Sequence, residues 1–193
     1  MKIAVTGANG QLGNSLQKHQ EKIQADWIFT DIDQLDITNK QSVEQFFNEY
    51  KPDILINCAA YTAVDKAESE KDLANAINHT APKLLVQQSK ENTCHFIHIS
   101  TDYVFDGKHY RPYSETDKCI PNSVYGETKR EGENACLSAN PESIILRTSW
   151  LYSEFGNNFM KTMLRLGQEK ESLNVVFDQI GTPTYADSLA LGI

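Results

Sequence analysis

The chain opens with an apolar run, Lys2-Ile3-Ala4-Val5-Thr6, that leads straight into Gly7-Ala8-Asn9-Gly10-Gln11-Leu12-Gly13. This glycine repeat restricts the possible folds more than any other feature. It calls for a buried strand, a tight turn, and a helix whose first turn packs close to that strand. The helix after it reads as Gln11 to Gln20. Its N-terminus offers free N–H groups and a partial positive charge, a seat for an anion such as a pyrophosphate. Backbone donors matter because the 193 residues carry a net charge of -8. That balance argues against a general nucleic-acid binder, so an anionic ligand must be held by local groups.

Strands and helices go on alternating along the chain. Trp27-Ile28-Phe29-Thr30 reads as a second strand, and Val43, Phe46, Phe47 and Tyr50 mark one face of a helix that Pro52 ends. Ile54-Leu55-Ile56 is a third strand, a helix opens at Asp72, and Pro82 sits in the first turn of another carrying Leu84, Leu85 and Val86. His95 to Ile99 is a fourth strand, Val124 to Leu137 a helix, Ile144 to Leu146 a fifth strand and Asn174 to Phe177 a sixth. Continuous rather than alternating apolar strands indicate a parallel sheet covered on both faces. The expected fold class is α/β, a Rossmann-type doubly wound parallel sheet with helices on both faces. Residues 1–149 are expected to form a dinucleotide-binding domain. Residues 150–193 would supply a substrate-site segment and the last strand of the sheet. A helix starts at Ala186 and is cut off at Ile193, so a truncated C-terminus is expected.

Several function classes are excluded. With 40% apolar and 23% charged residues the chain is neither disordered nor a disulfide mini-protein. No run approaches about 18 apolar residues, so no membrane-spanning helix is expected. Met1 leads directly into the first strand, so no signal peptide is expected. The four cysteines (Cys58, Cys94, Cys119, Cys136) form no CxxC pair, and the five histidines show no metal-ligand spacing. No metal ligand is therefore assigned, and free thiols in a reducing cytoplasmic setting are the default expectation.

Three features carry chemistry. Asp31 follows the second strand about 20 residues beyond the glycine loop, where a carboxylate accepts bonds from ribose hydroxyls and repels a 2′-phosphate. A solvated turn residue is the plainer reading, since Asp33 and Asp36 lie close by. Tyr125-Gly126-Glu127-Thr128-Lys129 sets a phenol and an ammonium at i and i+4, on one helical face. A neighbouring cation favours the phenolate, and moving a phenol from about 10 toward about 7 takes roughly 4 kcal/mol. Lys129 is thus expected to lower the Tyr125 pKa, making a proton donor for a carbonyl oxygen. Alone, Tyr-x-x-x-Lys is a cheap pattern that surface helices also produce. It gains weight from Ser100-Thr101-Asp102, placed after the fourth strand at the ligand-binding edge of an open α/β sheet. A hydroxyl at Thr101 can hold a substrate carbonyl beside Tyr125.

The GxxGxxG spacing resembles the extended short-chain dehydrogenase/reductase superfamily. That resemblance implies NADPH or NADH as cofactor, with Gly7, Gly10, Gln11, Leu12 and Gly13 at the pyrophosphate and Asp36 and Ile37 at the adenine. It places Ala59-Ala60-Tyr61-Thr62 along the dinucleotide. A narrower likeness comes from Ser100-Thr101-Asp102-Tyr103-Val104-Phe105-Asp106-Gly107, Tyr113-Ser114-Glu115-Thr116-Asp117, Leu146-Arg147-Thr148-Ser149-Trp150 and Asp178-Gln179-Ile180-Gly181-Thr182-Pro183-Thr184. These segments resemble the dTDP-4-dehydrorhamnose reductase family over the whole chain. The resemblance implies reduction of the 4-keto group of a dTDP-6-deoxy-hexulose to dTDP-L-rhamnose. Tyr125 would be the proton donor, Lys129 would bind the nicotinamide ribose, Thr101 would bond the carbonyl, and Asp102 and Trp150 would contact the dTDP-sugar. From its chemistry alone Trp150 could equally be a core filler, and Arg147 and Lys161 are candidate cations that nothing in the sequence aims at phosphate. Family members carry a further segment that completes the sugar site, and the family also allows Mg2+ and a homodimer. Two other readings stay open. One is a nucleotide-sugar epimerase or dehydratase, although Tyr103 stands where a dehydratase needs an acidic residue. The other is a non-catalytic NAD(P)-binding regulatory subunit.

Overall fold

Five parallel strands form the sheet, in the order β2-β1-β3-β4-β5. They are β1 (Lys2–Thr6), β2 (Asp26–Thr30), β3 (Ile54–Asn57), β4 (His95–Thr101) and β5 (Ile144–Thr148). The coordinates are a computed structural model that describes residues 1–176 and 179–193. Strand order reverses beside β1, so β1 leads to β2 on one side while β3 to β5 extend on the other. This is a Rossmann-type doubly wound arrangement, and its strand ends converge on a switch point where ligands bind.

Side chains alternate across the sheet, and both faces are apolar because both are covered. Ile3, Val5 and Ile56 pack on Leu12 and Leu16 of α1 (Gln11–His19) and Ala190 of α8 (Ala186–Gly192). Ala4, Leu55 and Phe96 point the other way. There they meet Phe46 and Phe47 of α2 (Lys40–Tyr50), Leu85 and Val86 of α5 (Ala81–Glu91), and Cys136 of α6 (Val124–Ala139). Phe47 and Leu85 are fully buried. Each such side chain contributes about 1.5–3 kcal/mol by leaving water.

The helix starts differ in a way that bears on function. Asn39 caps α2 by accepting the Ser42 N–H at 3.1 Å, and Ser123 caps α6 by accepting the Gly126 N–H at 3.1 Å. Asn158 caps α7 (Phe159–Glu169) through the Lys161 N–H at 3.0 Å. The N-cap of α1 is Gly10, which supplies no side-chain acceptor. Its first-turn N–H groups therefore face outward without an intrahelical partner.

Two expectations need correction. The helix opening at Asp72 is only α4 (Lys71–Asn75), preceded by the single turn α3 (Val64–Ala67). It runs on through a π turn over residues 76–80 into α5. The sixth strand is not found. Residues 174–176 make no ladder, and Phe177 lies outside the described residues. Val175 and Val176 are half or more exposed, so no neighbour rewards an extended pairing there. Instead β6 (Leu151–Tyr152) and β7 (Thr184–Tyr185) form a separate two-residue parallel ladder. The helix expected at Ala186 is α8. It docks on α1, where the Lys18 ammonium reaches Asp187 Oδ2 at 2.6 Å and Glu154 Oε1 at 2.8 Å. Among the described residues no helix is long and apolar enough to cross a membrane.

Candidate active site

A cleft of about 860 Å³ runs along the carboxyl ends of the strands. Gly7, Gly10, Gln11, Leu12 and Gly13 line one stretch of it, and Asp31, Asp36 and Ile37 another. Ala59, Ala60 and Thr62 lie along the floor, while Thr101, Asp102, Tyr125, Lys129 and Trp150 share the wall beyond. Gly7 has φ +65°, and a Cβ there would sit 2.7 Å from the Ala59 nitrogen. Only glycine lets the loop turn this close to β3.

Tyr61 is not on the wall. Its N–H donates to Asn78 Oδ1 at 2.9 Å, its carbonyl accepts from Asn78 Nδ2 at 3.0 Å, and its hydroxyl donates to Glu70 at 2.6 Å. The π turn thus pins the main chain behind Ala59 and Ala60 and turns the phenol away. Gln11 lines the cleft, but its side chain is engaged elsewhere. Nε2 donates to the Leu151 carbonyl at 3.3 Å, and Oε1 accepts from Ser153 at 3.1 Å and Asn158 at 2.9 Å. Its main chain, at the uncapped start of α1, is what remains for a ligand. Both oxygens of Asp31 accept main-chain N–H groups, from Asn9 and Ile32, each at 2.9 Å.

Ser123 and Glu68 together place Tyr125. Glu68 Oε1 accepts the Val124 N–H at 2.9 Å, which brings a second carboxylate-bearing segment to the start of α6. The Tyr103 ring meets Tyr125 edge-on with centroids 5.3 Å apart. Thr101 Oγ1 donates to Asp102 Oδ1 at 3.2 Å and accepts the Tyr103 N–H at 3.2 Å. Burial pushes the Asp102 carboxyl above its ordinary range, against the pull of Thr101. Tyr125 is 9% exposed and Lys129 2%. Burial drives the Tyr125 phenol up to about 12, with Asp102 and Tyr103 adding to the rise and Thr101 opposing it. The expected lowering by Lys129 is therefore corrected. The ammonium points down, donating to the Ile99 carbonyl at 2.6 Å. Burial brings Lys129 itself down to about 8, with Glu133 the largest opposing influence.

Two candidate cations are engaged within the protein. Arg147 makes a two-pronged pair with the fully buried Glu133 at 2.7 and 2.8 Å and stacks 5.0 Å above the Phe105 ring. Lys161 donates to the Glu154 and Gly156 carbonyls. Trp150 is 40% exposed and holds a left-handed φ of 49°. A Cβ on Gly181 would lie 2.6 Å from its ring nitrogen, so the indole rests directly on that glycine. Among the described residues no three His, Cys, Asp or Glu side chains come together as a metal site.

Sequence reasoning missed Asn57, His98 and Asn78. Asn57 and His98 are fully buried polar residues inside otherwise apolar strands, and that contrast was the available signal.

A family model described as RmlD substrate binding domain matches residues 1–193. The chain belongs to the RmlD substrate binding domain family. Among RmlD relatives, a dTDP-4-dehydrorhamnose reductase of Aggregatibacter actinomycetemcomitans is 46% identical over 190 residues. The match takes in 98% of this chain and 65% of that relative's length. A solved dTDP-4-dehydrorhamnose reductase from Clostridium acetobutylicum superposes with a TM-score of 0.96 at 50% identity, covering 100% of this chain and 68% of that one. One from Bacillus anthracis, in complex with NADP, gives 0.95 at 44% identity, covering 99% and 68%.

Proposed function

We propose that the chain carries the dinucleotide-binding and proton-donating parts of an NAD(P)H-dependent reductase. Its substrate is the C4 ketone of dTDP-4-dehydro-6-deoxy-L-mannose, and its product is dTDP-L-rhamnose. The observation that carries this reading is the single cleft that joins the glycine loop to Thr101, Tyr125 and Lys129. The names of the reductases it resembles, and the NADP in the Bacillus anthracis complex, support the substrate class and the cofactor. Residues 1–149 supply the dinucleotide half, and 150–193 face the sugar through Trp150.

The residues fit a dinucleotide. The uncapped N-terminus of α1 can hold the pyrophosphate, and the small side chains of Ala59 and Ala60 allow close approach. When bound, the reduced nicotinamide supplies a hydride to C4 of the sugar. Proton delivery belongs to the chain. Thr101 donates a hydrogen bond to the carbonyl oxygen, Tyr125 releases its phenolic proton to that oxygen, and a secondary alcohol results. Burial keeps Tyr125 protonated through neutral pH, so the acid is loaded before each turnover. Lys129, one turn along α6, binds the ribose. Asp102 helps hold the sugar, and Asp31 faces the adenosine ribose.

Because Lys129 carries its proton only below about 8, turnover is expected to fall as pH rises through that value. The test follows absorbance at 340 nm with the dTDP-4-keto sugar and NADPH or NADH, for the chain and its full natural reading frame side by side. Sugar-dependent oxidation of the dinucleotide supports the reading. Dinucleotide binding without it in both would overturn the substrate assignment.

A further inference from the structure

Thr6, Asn57, His98 and Lys129 form a buried polar row, each at most 2% exposed, whose two ends, Thr6 and Lys129, reach the lining of the cleft. Thr6 pairs with Asn57 across β1 and β3, and Asn57 with His98 across β3 and β4. Paired positions in parallel strands point to the same face, so the row crosses the sheet at one level and ends on α6. Thr6 Oγ1 donates to Asn57 Oδ1 at 2.7 Å, and Asn57 Nδ2 lies 3.0 Å from His98 Nδ1. His98 Nε2 lies 3.5 Å from Lys129 Nζ. The proton transfer described above uses none of Thr6, Asn57 or His98.

The proton count in this row is tightly constrained. Burial and the neighbouring lysine hold His98 well below the usual histidine range, so the ring is neutral. A neutral imidazole has one N–H and one lone pair, and an ammonium can only donate. Facing charged Lys129, Nε2 must accept and Nδ1 must carry the proton. Asn57 must then turn its oxygen to Nδ1 and its amide N–H to Thr6. A neutral amine regains a lone pair, so facing neutral Lys129 the reverse pattern becomes available. Nε2 carries the proton toward the lysine lone pair, Asn57 Nδ2 donates to Nδ1, and Thr6 donates to Asn57. The two patterns differ by one turned amide and one proton moved from Nδ1 to Nε2, with no change in ring charge.

We propose that His98 is a positioning residue whose tautomer, anchored through Asn57 to Thr6, matches the charge on Lys129 and keeps Nζ aimed in both charge states. The part played by Lys129 in reduction rests on the function proposed above, whereas the coupling of tautomer to charge does not. The other titratable groups around Lys129 are Glu133 and Cys136 of α6 and Cys58, the residue after β3. Glu133 is committed to Arg130 and Arg147, and burial holds both thiols up at about 12. Near neutral pH the charge that changes in this pocket is that of Lys129 itself.

Imidazole 15N NMR of the labelled chain, beside the 13Cε signal of Lys129, tests this directly. As Lys129 titrates, the protonated and unprotonated nitrogen signals of His98 are expected to change places while the ring stays neutral. In Lys129→Met one tautomer should persist at every pH. A His98 spectrum that ignores the Lys129 titration would overturn the proposal, and no substituted protein needs to fold for that result. In the reductase assay, His98→Leu is expected to lower kcat about tenfold and shift its alkaline limb, with KM little changed. His98→Gln, which keeps an acceptor toward Nζ, should recover most of the loss. Identical kcat and pH profiles in all three proteins would also count against the role. Tautomer coupling without sugar-dependent oxidation would sink the proposed function and leave this inference standing.

Discussion

Tyr125 and Lys129 sit one helical turn apart, and burial acts on them in opposite senses. It holds the phenol protonated and makes the ammonium easier to lose. Tyr125→Phe keeps the ring and its packing on Tyr103 but removes the proton. It is expected to lower kcat about 10²–10⁴-fold, while fluorescence titration finds dinucleotide affinity within about twofold of the parent. Asp31 is set at the other end of the cleft, with both carboxylate oxygens fixed by main-chain N–H groups. Its charge is therefore held in place rather than swinging on a free rotor. Asp31→Ala should raise the ratio of kcat/KM for NADPH over NADH, and an unchanged ratio would dismiss Asp31 as the selector. At this scale the sequence disclosed types better than directions. Thr101, Tyr125 and Lys129 were legible because a hydroxyl, a phenol and an amine recur at telling offsets. That Lys129 points down at Ile99, or that Tyr61 turns outward to Glu70, depends on partners far away in the chain.

The elements around the site are held by close backbone contacts as much as by side chains. Where α6 crosses the π turn, a Cβ on Gly132 would fall 2.1 Å from the Asn78 carbonyl oxygen. Gly132→Ala must push α6 off that turn, and with it Tyr125 and the Asn78 pin on residue 61. Urea denaturation should show a loss of about 1–3 kcal/mol. Gly167→Ala on α7 is the internal comparison, since nothing lies within 4 Å of its added carbon. There the helix should gain about 0.5–1 kcal/mol. The five sheet strands were legible because each carries a short apolar run bounded by turn residues, buried in β1, β3 and β4 and partly covered in β2 and β5. The β6–β7 ladder was not, because two residues carry no periodicity. The opposite error arose over residues 174–177, where Val175 and Val176 imitate a strand but lie exposed. The π turn escaped too, since its extra residue shows only as a slip in helical phase.

For the molecule as a whole, buried neutral groups set the pH range of stability. Burial raises the thiols of Cys58, Cys94 and Cys136 from 9.0 to about 12. Above about pH 9 the unfolded chain therefore releases protons that the folded chain keeps, and stability falls as pH rises. Lys129, lowered from 10.5 to about 8, works in the opposite direction but is one group against three. On the acid side His98 stays neutral while its unfolded counterpart gains a proton below 6.5, so stability falls there as well. Urea midpoints should form a plateau between these limits, and Cys94→Val should flatten the alkaline slope. A midpoint that kept rising past pH 10 would contradict this assignment. A further whole-molecule property lies in the side chain of Gln11. It begins the helix beside the glycine loop, and it is also the peg on which Leu151, Ser153 and Asn158 hang. Ligands seated on those two segments share one mechanical anchor. The thermodynamic cycle then closes on a reciprocity: by whatever factor one occupant tightens or loosens the grip on the other, it is itself held tighter or looser by that same factor.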